Sequence, residues 1–143
     1  LGTDYPDTLT IMADIASTYS DQHRREEAEK LQIQVMETRK TKLGPNHPDT
    51  LSIMADLALT YSNQDRWKEA EKLQIQVMEA RKIQLGADHL DTLAIMANLA
   101  STYSNQGQWE EAEKLEVHVM EARKMKLGAD HPNALLVSSI LAI

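Results

Sequence analysis

Leu43-Gly44-Pro45-Asn46-His47-Pro48-Asp49-Thr50-Leu51 punctuates this chain: its opening Leu-Gly pair stands also at Leu1-Gly2, Leu85-Gly86 and Leu127-Gly128, always 42 residues apart. A step held in register over three copies without insertion is the mark of one supersecondary unit laid down in tandem, as in solenoids. About two-thirds of positions are identical between the copies that start at Leu43 and Leu85, a level that only a repeat architecture explains. The constant positions are apolar or small, whereas loop and outward-facing positions vary, as expected where stacking between neighbours fixes the former. The expected organisation is a repeat at 1–42, a second at 43–84, a third at 85–126, and one further helix at 127–143 belonging to a partial or capping repeat.

Within the quoted stretch Gly44 and Pro45 are breakers, and Pro48 sits where a first helical turn tolerates a missing N–H. The pattern predicts a helix A from Pro48 to the Ser62–Gln64 region. Asp49 complements its positive end, and Thr50 is placed to bond local backbone donors. Leu51, Met54, Ala58 and Tyr61 recur at helical spacing, with Leu57 widening the stripe, so one face is expected to be buried. Ser62-Asn63-Gln64-Asp65, and Ser104-Asn105-Gln106-Gly107 in the next copy, supply turn chemistry. A helix B then starts at Arg66 or Trp67 and buries Ala70, Leu73, Val77 and Met78. Glu69 and Glu71 come early and Arg81 and Lys82 late, the order that suits the helix dipole.

Two helices of about 16 residues, each roughly 24 Å long, would pair as an antiparallel hairpin whose crossing needs small side chains. Ala16, Ala58 and Ala100 on helix A, with Ala28, Ala70 and Ala112 on helix B, supply them. The predicted fold class is all-α: a right-handed α-solenoid of helix-turn-helix hairpins, three repeats plus one extra helix.

Lys plus Arg is 15 against 22 for Asp plus Glu, a net charge of −7, and the excess is spread as −2, −1 and −3 over the repeats and −1 over the tail. No basic block exists for nucleic acid or an anionic membrane surface. Cysteine is absent, which rules out disulfides and thiolate metal sites and favours an intracellular, cytoplasmic home. The longest apolar stretch, Ala134 to Ile143, is too short for a bilayer and is broken by Ser138 and Ser139. No signal peptide opens the chain, and Leu1 falls in phase with the repeat boundary, which reads as a fragment of a longer array.

His47, His89 and His131 recur with the period, yet each lacks a second ligand at metal spacing, so a loop role is assigned to them. His23 and His118 are unrepeated and expected to be exposed. Glu69 and Glu71 lie two apart on a helix and point in different directions. With no nucleophile beside a base and no Gly-rich phosphate loop, the sequence predicts no enzyme, no metal and no cofactor. Met12, Met54 and Met96, with Met36, Met78 and Met120, are assigned to core packing rather than to an adaptable surface. Leu135, Leu136, Val137, Ile140, Leu141 and Ile143 make the last helix apolar on several faces, whereas arrays normally end on a polar surface. Leu136, Ile140, Leu141 and Ile143 are accordingly the candidate surface for end-to-end self-association.

The pattern Leu57-Ala58-x-x-Tyr61, then Gln64-x-x-Trp67-x-Glu69-Ala70-Glu71-x-Leu73, then Leu85-Gly86-x-x-His89, resembles tetratricopeptide repeats of the kinesin light chain and nephrocystin type, over the whole chain. The near-identical copies carrying His47-Pro48-Asp49-Thr50-Leu51 are most similar to the C-terminal arrays of fungal NOD-like receptors, where they follow a nucleotide-binding switch domain. The resemblance implies that Trp67 and Trp109 pack across the hairpin, with Arg25 replacing that aromatic in the first repeat. It also implies a protein-interaction scaffold whose helix A lines a concave groove for a peptide or partner helix. That face is Thr10, Ala13, Asp14, Ser17, Ser20 and Asp21; Ser52, Ala55, Asp56, Leu59, Ser62 and Asn63; and Ala94, Ala97, Asn98, Ser101, Ser104 and Asn105. Relatives that clamp a C-terminal carboxylate carry Lys, Arg and Asn there, where this chain has Ala and Ser. Kinesin light chains present paired asparagines, of which Asn98 survives while Asp14 and Asp56 replace its equivalents. The implied partner is a neutral or basic segment of protein, rather than an acidic kinesin-type cargo peptide. The alternative function is self-assembly, stacking end to end to cluster a signalling domain.

Overall fold

The computed structural model describes the backbone of residues 6–21 and 25–127, and the side chains of 8–16 and 26–126. Six α-helices occupy them: α1 (Pro6–Asp21), α2 (Arg25–Leu43), α3 (Pro48–Asn63), α4 (Trp67–Leu85), α5 (Leu90–Asn105) and α6 (Trp109–Leu127). Every boundary recurs at the sequence period. The odd-numbered helices are helix A, 16 residues long, and the even-numbered ones are helix B, 19 residues long. Helix B outruns the expected length because nothing breaks it before Gly44 or Gly86.

The chain divides into two compact units, Leu1–Ala80 and Arg81–Ile143. In the first, α2 packs against both α1 and α3; in the second, α5 packs against α6.

Chemistry at the helix ends follows from the loop residues. The helix A starts are capped by histidine: His47 Nδ1 accepts the Asp49 N–H at 3.1 Å, and His89 Nδ1 accepts that of Asp91 at 3.0 Å. The recurring histidine is thus an N-cap, accepting one of the donors a helix start leaves unpaired. Thr50 acts in the reverse sense from that expected, its hydroxyl donating to the Gly44 carbonyl at 2.9 Å. Gly44 has φ +104 and donates to the carbonyls of Arg39 and Lys40, closing α2 with a conformation that an L-residue resists.

Helix A is buried along two stripes, not one. Leu51, Met54, Leu57 and Ala58 are at most 1% exposed, as their spacing predicts, and so is Ile53, with Thr50 and Thr60 at most 2% exposed. The second stripe, Thr50-Ile53-Leu57-Thr60, meets the helix B of the preceding repeat: Thr60 Oγ1 donates to Gln32 Oε1 of α2 at 2.6 Å in a buried site. Tyr61 is half-buried, with the Arg66 guanidinium carbon 4.4 Å from its ring centroid. On helix B, Ala70 and Val77 are buried as predicted, Leu73 and Met78 are half-buried, and Gln74 is buried although polar. The six alanines of the hairpin crossings are all at most 3% exposed.

Candidate functional site

The outer face of helix A is carried by positions flanking those two stripes. In the first unit Thr10, Asp14, Ser52, Asp56, Leu59 and Asn63 are exposed, and Ala13, Ala55 and Ser62 are half-buried. In the second unit Ala94, Ser101 and Asn105 are exposed, and Ala97, Asn98 and Ser104 are half-buried. The side chains of Ser17, Ser20 and Asp21 lie outside the described residues, as do Leu136, Ile140, Leu141 and Ile143. Small residues keep the face low, and Ser, Thr, Asn and Asp furnish donors and acceptors without any cation. Part of that capacity is used locally: Asn105 Nδ2 donates to the Ser101 carbonyl at 2.9 Å.

Contacts that hold the framework were not all visible in the pattern. Arg39 donates to the Asp49 carbonyl at 3.0 Å, and Arg81 to the Asp91 carbonyl at 3.0 Å, so each ties the end of a helix B to the first turn of the next helix A. Of the two, Arg81 alone figures in the sequence pattern, as a dipole complement; the recurrence of arginine at the repeat period was the available signal. Arg66 gathers a second cluster, bonding Glu29 of α2 at 2.7 Å, Gln64 at 2.9 Å and Glu69 while lying over Tyr61. The hydrogen bond to Glu29 comes first among the causes that raise the Arg66 pKa, so its charge is fixed. The Tyr61 phenol is pushed above 10.0 chiefly by burial, then by Glu29.

His118 departs from its expected exposure: it is half-buried, 3.2 Å from the Ala87 carbonyl and 3.4 Å from Asp88. Trp67 is half-buried, but Trp109, at the equivalent first turn of its helix B, is 67% exposed. The methionines divide as well: Met54, Met96 and Met36 are at most 9% exposed, Met12 and Met78 are half-buried, and Met120 is 36% exposed. Among the described residues no group of three or more His, Cys, Asp or Glu is placed to hold a metal ion. No described helix is long and apolar enough to cross a membrane.

A tetratricopeptide repeat family model matches residues 7–82 and 56–125. Two crystal structures of Podosopora anserina kinesin light chain nearly identical TPR-like repeats are similar to the chain, with TM-scores of 0.83 and 0.82 and 28% identity over 96% of its length. The chain spans 65% of those proteins. BtubC from P. vanneervenii shares the fold at a TM-score of 0.80 and 19% identity, over 87% of this chain and 50% of its own. No curated protein matches the sequence.

Proposed function

The chain belongs to the tetratricopeptide repeat family, and from that premise we propose that it is a non-catalytic scaffold presenting the outer face of helix A to a peptide or helix of another protein. One observation carries this reading. At equivalent positions of α1, α3 and α5 the exposed and half-buried side chains are small, hydroxylic, amidic or acidic, with Leu59 as the one bulky apolar member of the set and no Lys or Arg among them. Such a surface favours neutral or basic segments, and it stands pre-formed on paired helices, so the receptor loses little ordering entropy on binding.

The finer assignment, a recognition segment behind a nucleotide-binding switch in a cytoplasmic NOD-like receptor type protein, is supported by the near-identical copies and by His47-Pro48-Asp49-Thr50-Leu51. Selection of a basic segment is tested by titrating the chain with matched lysine-rich and glutamate-rich peptides. Asp14→Lys with Asp56→Lys should weaken the lysine-rich peptide about tenfold, within the range for close interfacial charges. Stronger binding by that variant, or equal binding of both peptides by the native chain, would reject the reading.

A further inference from the structure

The loop that opens the third repeat is held differently from the one that opens the second. In the second, Gly44-Pro45-Asn46-His47-Pro48 carries two prolines, each fixing φ at its own position. The Thr50 hydroxyl closes that loop from inside by donating to the Gly44 carbonyl at 2.9 Å. In the third, Gly86-Ala87-Asp88-His89-Leu90 has neither proline, and Thr92, the equivalent of Thr50, is fully buried with its hydroxyl unpartnered. The internal restraints of the earlier loop are gone.

A contact from outside stands in their place. His118 of α6 brings Nε2 to two acceptors of this loop, the Ala87 carbonyl oxygen at 3.2 Å and an Asp88 carboxylate oxygen at 3.4 Å. The equivalents of His118 are Gln34 and Gln76, both exposed, and Asp88 stands where the second repeat has Asn46. Only in the third repeat, therefore, do an imidazole and a carboxylate occupy this pair of positions. Two oxygens facing one ring nitrogen demand a proton on it. The neutral ring meets that demand only as the Nε2–H tautomer, whereas the imidazolium always meets it and adds attraction to the carboxylate.

We infer that His118 and Asp88 form a protonation-controlled clasp on the 86–89 loop, one that seats the first turn of α5 more firmly as pH falls through the range where histidine takes up a proton. The clasp lies apart from the outer face of helix A and draws nothing from the peptide-binding reading. The other charged groups of the elements that meet here are Lys114 and Glu121, one turn either way from His118 on α6, His89 and Asp91 at the start of α5, and Arg81 at the end of α4, whose guanidinium is on the Asp91 carbonyl. His89 works in the opposite sense. Its Nδ1 accepts the Asp91 N–H at 3.0 Å, and an imidazolium has no lone pair for that bond. Acidification thus loosens the α5 cap through His89 while tightening the clasp through His118. The second repeat has the loosening half alone, since His47 caps α3 in the same way and Gln76 carries no titratable group.

The test is amide hydrogen exchange of the full chain, read by NMR from about pH 8 down to about pH 5 and corrected for the intrinsic pH dependence of exchange. The Asp49 and Leu51 amides, bonded to His47, report on the second loop, and those of Asp91 and Leu93, bonded to His89, on the third. On acidification protection at Asp49 and Leu51 should fall, and that at Asp91 and Leu93 should fall less or rise, the two sets parting by about twofold to fivefold, as suits an exposed ion pair. His118→Gln and Asp88→Asn each introduce a residue type that an equivalent position already holds, so the helices are kept, as circular dichroism would verify. Each substitution should make the two sets fall alike. A native chain in which both sets respond alike would overturn the inference, and so would a difference that survives either substitution.

Discussion

Ala58 has no exposed surface, and the sequence pattern puts it at the crossing with the partner helix of its own hairpin. A side chain three carbons larger has nowhere to go without moving the helices apart, so Ala58→Leu should destabilise the chain by about 1–3 kcal/mol. Chemical denaturation with an unchanged midpoint would remove Ala58 from the crossing. Tyr61 gives a second, pH-dependent signature. Burial first, and then the Glu29 carboxylate, raise its pKa above 10.0. The folded state therefore holds the phenolic proton more tightly than the unfolded chain does. The associated stability is whole below the unfolded value and is lost as pH rises through the raised folded one. Denaturation midpoints measured from about pH 9 to about pH 11 should fall more steeply for the native chain than for Tyr61→Phe.

Helices and turns were legible to different depths. The starts at Pro48 and Trp67 and the stop at Asn63 follow from proline, the turn residues and the apolar period, and the structure places them there. The second buried stripe of helix A was not legible as such. Thr50 and Thr60 are polar, and a window that scores hydrophobicity passes over threonines whose hydroxyls are satisfied internally, as at Gln32 and Gly44. Gln74 escaped for the same reason, being buried to 1% exposure on a helix otherwise rich in charge. The hairpin turn holds a sharper lesson in backbone chemistry. Asp65 has φ +60, and its equivalent Gly107 has φ +77, so one copy meets the left-handed requirement with glycine and the other with a strained residue. Asp65→Gly should stabilise, or leave unchanged, the unit that contains it, whereas Gly107→Ala should cost about 1 kcal/mol. Thermal melts of the two variants should move in opposite directions or leave only the second shifted, and a lower midpoint for Asp65→Gly would show that its side chain contributes more than its backbone costs.

Taken over the chain as a whole, stability follows how many sides of each helix are covered, because repeats of this kind gain stability from neighbours rather than from a single central core. α3 and α5 bury both stripes, whereas α1 leaves Ile11 and Ile15 to solvent. The candidate outer face came from the family resemblance, and its described members are exposed or half-buried. The unequal covering of α1 and α5 is carried by no difference in residue pattern, since apolar residues stand at these places in every copy, Ile11 and Ile15 in α1 against Ile95 and Leu99 in α5. Amide hydrogen exchange should accordingly rank the helix A segments, with protection in α3 and α5 exceeding that in α1 by an order of magnitude or more in rate, as expected when local opening sets exchange. Uniform protection across the three helix A segments would contradict the link between coverage and stability.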